Sequence, residues 1–290
     1  MRASILLAGL LACFICVWSA QRFSASGLVL RVDPNQRTIL LSCDDIAGYM
    51  RAMTMSFAVR DSKILAGLAP GLRVEFTLVV GGQSSYAEDI HARNPEDMEQ
   101  QALTVRRLKM IENLDAGRPL APGMLKVGEP VPGVVLMDQN RNKVDLSGFA
   151  GKVVLMNFIY THCPLPDYCF RLSNNLGNVQ RRFRAKMGRD LILLSVTFDP
   201  VHDQPEVLRD YARTWKADGN WHFLTGELSE VRRVCKMFDV DFWPDEAELM
   251  HSLHTVIINR QGRLAANLEG NQFTARQLGD LVQTVLDEAR

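Results

Sequence analysis

The sequence predicts an α/β fold, a largely parallel central sheet flanked by helices, preceded by a small all-β, OB-like barrel. Three observations carry this expectation. Residues 24–93 break into five short apolar segments separated by turn residues, with no long helical period. From residue 124 onward, apolar strand patterns alternate with helical ones. Between them, residues 94–118 place charges and apolar positions at mixed helical spacing, and a run rich in Pro and Gly follows as a linker. The predicted division is a leader over 1–20, a barrel over 24–94, a helix and linker over 95–123, and the α/β domain over 124–290.

The leader has a single Arg2, an apolar run of about fourteen residues, and a close at Ser19 and Ala20. That pattern fits a secretory signal, with an uncleaved N-terminal anchor as the alternative. The expected location is therefore the periplasm or the outer face of the cytoplasmic membrane. The barrel strands are GLVLRV, TILLS, MTMSFAV, RVEFTLVV and YAEDIHA. Beyond the linker, VVLMD and KVDL form a hairpin about residues 139–142, VVLMNFIY a buried strand, and 170–184 a helix. LILLSVTF, PEVLRDYARTW, WHFLT and ELSEVRRVCKMF then alternate strand and helix, and TVIINRQGRLAANLEG closes as a hairpin before a terminal helix. That order resembles a thioredoxin-like fold.

Lys plus Arg and Asp plus Glu both number 33, so no excess charge is available to attract a phosphate backbone, and nucleic acid is excluded as a partner. Of six cysteines, Cys13 and Cys16 fall in the leader. The remaining Cys43, Cys163, Cys169 and Cys235 are too few to staple a large exported protein, so pairing or metal binding at a specific site explains them better.

The run from Thr161 to Cys169 ends the most apolar strand and opens a helix, which places two thiols outside the carboxyl end of a sheet. Pro164 and Pro166 hold the loop extended, and a helix start favours thiolate. About eighty residues later a polar loop, 249–254, carries His251 and His254 toward the same edge. Two soft sulfurs and one nitrogen form a copper-type ligand set. Other readings are a structural disulfide, a thioredoxin-type oxidoreductase, and a peroxidase. The second departs from this chain in having two residues between the cysteines where five stand here, and the third needs other residues where Tyr160 and Met156 stand. Asp199 and Asp203 read as caps of the helix that Pro205 opens, His202 as exposed, and Cys235 as a core thiol. His162 reads as a spare ligand or a solvent-facing loop residue.

The segments VVLMNFIYTHCP, LLSVTFDPVHDQPEVLRDYARTW and HSLHTVIINRQGRL, in that order, resemble the Sco/SenC family of copper-binding assembly factors for cytochrome c oxidase. The resemblance implies Cys163, Cys169 and His251 as copper ligands, with the turn 259–262 selecting His251 over His254. The chain departs from the family in its five-residue Cys-to-Cys spacing, where three is usual.

In the small domain, Met53 and Met55 lie on one face of a strand, with Met50 just before them and Cys43 at the end of the preceding strand. Methionines that simply fill a small core are the alternative. The MTMSF core with its DDIAGYM lead-in resembles the CusF-like periplasmic copper-binding barrel. That resemblance implies Met53 and Met55 as Cu(I) ligands, with Cys43 at the family's histidine position and Met50 at or near its tryptophan. Together the resemblances imply an exported metallochaperone that carries Cu(I) or Cu(II) to an acceptor subunit of a respiratory oxidase. A thiol-disulfide oxidoreductase acting on the acceptor's cysteines and a copper-scavenging resistance protein are the alternatives. Turnover catalysis is not required of the first.

Overall fold

The computed structural model describes residues 20–81, 85–93, 123–163, 166–245 and 248–288. The predicted leader and the predicted helix before the linker lie outside the described residues, apart from Ala20. Among the described residues no helix is long and apolar enough to cross a membrane.

Five strands, β1 (Gln21–Asp33), β2 (Thr38–Cys43), β3 (Thr54–Val59), β4 (Arg73–Val80) and β5 (Ser85–Ala92), close into a barrel in the order β1-β2-β3-β5-β4, with a one-turn helix α1 (Ser62–Leu65) before β4. Closure leaves no free edge and needs one parallel pair, β3 with β5. Alternation sends Val29, Ile39, Leu41, Phe57, Val74, Phe76 and Leu78 inward to a core of their own.

The second unit is an α/β domain with the thioredoxin-like fold. Its strands are β6 (Val135–Asp138), β7 (Lys143–Asp145), β8 (Val153–Ile159), β9 (Leu191–Thr197), β10 (Trp221–Thr225), β13 (His254–Ile258) and β14 (Leu264–Glu269), in the order β14-β13-β8-β9-β10-β6-β7. β8, β9 and β10 run parallel at the centre. Every residue of β8 and β9 is buried, as expected of strands covered on both faces. One face carries α2 (Arg171–Arg182), α3 (Pro205–Thr214) and α5 (Ala275–Asp287), and the other carries α4 (Leu228–Met237). Pro205 opens α3, where its missing N–H costs nothing, and a Thr274–Gln277 capping box opens α5. Cys235 lies in the α4 face of the core, and burial pushes its thiol up to about 12.

A two-stranded ribbon, β11 (Phe242–Asp245) with β12 (Glu248–His251), stands apart from the main sheet. The polar stretch 249–254 reads as a loop in the sequence. The structure instead seats His251 on a strand opposite Phe242.

The barrel and the α/β domain share a core. Leu28 and Leu30 on the outer side of β1 are buried in the same cluster as Leu155, Leu268, Leu278 and Leu281. Gly71 adopts φ +95, and a Cβ there would stand 3.1 Å from Leu268 Cγ, so the close approach of the two units and the backbone both require glycine.

Candidate metal centre

β8 delivers the chain to the C-terminal edge of the sheet, and the loop after it turns back at once. Five residues between the cysteines exceed one α-helical turn, and the chain kinks within Pro166–Phe170, where Tyr168 leaves helical geometry at φ −106 and ψ −110. Cys169 lies in this kinked segment, just ahead of α2. The Sγ atoms of Cys163 and Cys169 and a ring nitrogen of His251 all lie within 4.8 Å of one another. Among the described residues no other group of His, Cys, Asp and Glu meets in this way.

Each member is fixed by its surroundings. His251 Nδ1 lies 2.9 Å from the Ser252 carbonyl, to which it can only donate, which leaves the Nε2 lone pair facing Cys169 Sγ at 3.6 Å. The imidazole stands edge-on to Tyr160, with centroids 5.7 Å apart, and tilted against Phe198 at 4.5 Å. Phe242 stacks on Phe198 at 5.5 Å, so the ribbon that carries His251 is packed against the residue that follows β9. Cys169 is buried and Cys163 half-buried. The hydrogen bond with Cys163 and burial hold the Cys169 thiol well above its ordinary range, against backbone N–H groups of Tyr160 and of Cys169 itself. Two thiols, an imidazole and a wall of aromatic rings suit a soft cation that repays the loss of both thiol protons.

The loop carrying Cys163 is latched from below. Asp203, fully buried, accepts from the Thr161 N–H at 3.0 Å, the Thr161 hydroxyl at 2.5 Å and the Thr197 hydroxyl at 2.6 Å. Burial raises its pKa, and the threonine hydroxyls oppose that. The expectation that Asp199 and Asp203 cap α3 is therefore corrected. The N-cap is Gln204 with no side-chain cap bond, and Asp199 pairs with the exposed His202 at 2.8 Å. The local Asp-x-Pro pattern reads as a cap because it cannot show that β8 ends across the sheet from it. His162 is exposed, with Nδ1 3.1 Å from the Thr161 hydroxyl. His254 is buried on β13 with Nδ1 2.9 Å from Asn267 Oδ1, outside the group of donors that meets at Cys163 and Cys169.

In the barrel, Leu41 pairs with Met55 and Ser42 with Thr54, and the Cys43 N–H donates to the Met53 carbonyl at 2.9 Å. Paired residues share a face, so Cys43, Met53 and Met55 belong to the inner face at one end of the barrel. Cys43 is buried, Met50 and Met55 are half-buried against the same core, and Met53 is 49% exposed at the rim. Burial, then Asp44, push the Cys43 thiol up to about 12, with Arg276 opposing.

Comparison with known proteins gives two family models. Residues 22–92 match the model described as copper binding periplasmic protein CusF, and residues 133–286 match SCO1/SenC. The SCO1 protein homolog of Bacillus subtilis is 26% identical over 180 residues, 58% of this chain and 92% of that protein. The mitochondrial protein SCO1 of Saccharomyces cerevisiae is 27% identical over 187 residues, 62% of this chain and 60% of that protein. A solved structure from Aquifex aeolicus VF5, described as an electron transfer protein, is 21% identical with a TM-score of 0.50, covering 55% of this chain and 94% of its own, and it shares the fold. The second model match runs over more than half of the 290 residues and contains both cysteines and the histidine. This chain belongs to the SCO1/SenC family.

Proposed function

We propose that this protein is an exported copper chaperone that holds copper through Cys163, Cys169 and His251 and passes it to an acceptor subunit of a respiratory oxidase. The convergence of the three donor atoms within 4.8 Å carries the reading. Two thiolates and an imidazole favour copper over hard cations, and the half-buried Cys163 and His251 leave an approach for an acceptor's own donors. Transfer then proceeds by exchange, with incoming thiolate or imidazole displacing one ligand at a time. The barrel supplies a second soft site, Cys43, Met50, Met53 and Met55, whose thioethers bind Cu(I) without losing protons. The matches to SCO1/SenC and to the CusF model support copper as the cargo at both places. The latter's description, with the signal-like leader, supports a periplasmic setting.

Titrating the reduced protein with copper tests the main centre. Cys163→Ser and His251→Ala are each expected to remove one equivalent of tight binding and the thiolate-to-copper absorption. A second reading, thiol-disulfide exchange on the acceptor, draws on the same closeness of the two sulfurs. It wins if His251→Ala leaves copper binding intact and only the cysteine changes stop reduction of an acceptor disulfide.

A further inference from the structure

The barrel end that carries Cys43 is gripped by the other domain, and the grip falls on the residues that alternate with the proposed donors. Arg276, in the first turn of α5, donates through Nη2 to the Cys43 carbonyl at 2.7 Å and through Nη1 to the Ser42 hydroxyl at 2.9 Å. Gln277 donates to the Ser42 carbonyl at 3.2 Å and to Asp44 Oδ1 at 2.9 Å. Asp280 accepts from the Ser42 hydroxyl at 2.7 Å and, across the strand pair, from the Thr54 hydroxyl at 3.2 Å. Arg182 at the end of α2 holds the other Asp280 oxygen at 2.8 Å. Ser42 and Thr54 form one register pair whose side chains point out of the barrel to α5, so Cys43, Met53 and Met55 point in. A strand fixed on its outer side has its inner side chains fixed as well.

We infer that Arg276 and Asp280 are positioning residues for the copper site in the barrel, so that this site is completed across the domain boundary by α5. The inference rests on the barrel reading proposed above. Arg276 acts on the backbone of a donor residue, and its guanidinium is itself held by Asp280 at 3.1 Å. A flat fork reaching two acceptors fixes orientation as well as distance, which a lysine's single ammonium cannot reproduce fully. A metal site of few soft donors gains affinity when such outer contacts preset its ligands.

The test uses the full-length protein carrying Cys163→Ser and Cys169→Ser, with Cu(I) itself as probe in competition against a Cu(I)-specific chelator. X-ray absorption counts sulfur neighbours, and thermal unfolding is followed in parallel. Arg276→Ala is expected to weaken Cu(I) binding by about 10-fold or more, the range for outer contacts of metal ligands, and to lower the sulfur count. Arg276→Lys should recover part of the affinity. Asp280→Asn, which keeps side-chain shape, should act in the same direction with less effect on folding. The inference is overturned if Met53→Ala and Met55→Ala weaken binding while Arg276→Ala and Asp280→Asn, folded, bind as tightly as the parent with an unchanged sulfur count. If the methionine changes themselves have no effect, the barrel site fails and the inference falls with it.

Discussion

Asp203 and Asp138 show what one buried carboxylate can do in this chain. Asp203 has given up water for two threonine hydroxyls and one backbone N–H, and in doing so ties the end of β9 to the loop of Cys163. Removing it leaves those donors buried without an acceptor, which costs about 1–3 kcal/mol, and frees the loop. Asp203→Ala is therefore expected to lower denaturant stability by about that amount and to weaken copper binding at the proposed Cys163 centre by about 10-fold to 100-fold. Equal copper affinity in titration would show that the latch is only structural. Asp138 is a different case. Burial resists its ionisation, but the N–H groups of Asn140 and Asn142, the Asn142 amide and His222 outweigh burial and depress its pKa below the ordinary 3.8. A depressed carboxylate adds stability above the unfolded value and loses it as pH falls through the folded one. Melting temperature should thus fall as pH drops below about 3.8, and Asp138→Asn should flatten that acid limb.

At the scale of elements, the ribbon of β11 and β12 decides where the imidazole sits. Phe242 on the ribbon packs against Phe198, which packs against His251. Phe242→Ala should weaken copper binding through a loosened ring while leaving most of the cooperative unfolding intact, since the ribbon lies outside the main sheet. Copper titration beside a thermal melt checks both halves of that expectation. The ribbon was not legible in the sequence, because FWPD and ELMH are short, acidic and interrupted by proline, and their order comes from tertiary packing. β8 and β9 were legible because continuous apolar runs of that length fit strands covered on both faces. The same holds for the two thiols at the end of β8, whose position follows from the strand-to-helix switch. Their approach to one another was not, since a five-residue spacing that includes a kink at Tyr168 fixes no geometry in advance. The Asp203 latch was hidden for a related reason: its partners, Thr161 and Thr197, lie on two other strand ends.

For the whole molecule, the barrel and the α/β domain bury leucines against each other. Leu28 and Leu30 leave the barrel's outer side and enter the large cluster around α5. Each such side chain contributes about 1.5–3 kcal/mol by burial, enough to couple the unfolding of the two units. A single cooperative transition is expected in calorimetry, and Leu28→Ala, at about 2–5 kcal/mol, should shift far-ultraviolet and tryptophan signals together. Two separated transitions would contradict the coupling. The Pro/Gly-rich stretch marks a boundary along the chain but is silent on contact between the halves, because composition reports flexibility along the chain and not contact across it. One practical outcome follows for anyone dissecting the protein with truncations. A clone beginning after residue 94 would take Leu28 and Leu30 out of the large cluster, uncover Leu268 where it meets Gly71, and strip Arg276 and Gln277 of their acceptors in the barrel. Loss of copper binding in such a clone would report on a sticky, half-built remnant, so point changes inside the intact chain are the sounder tool.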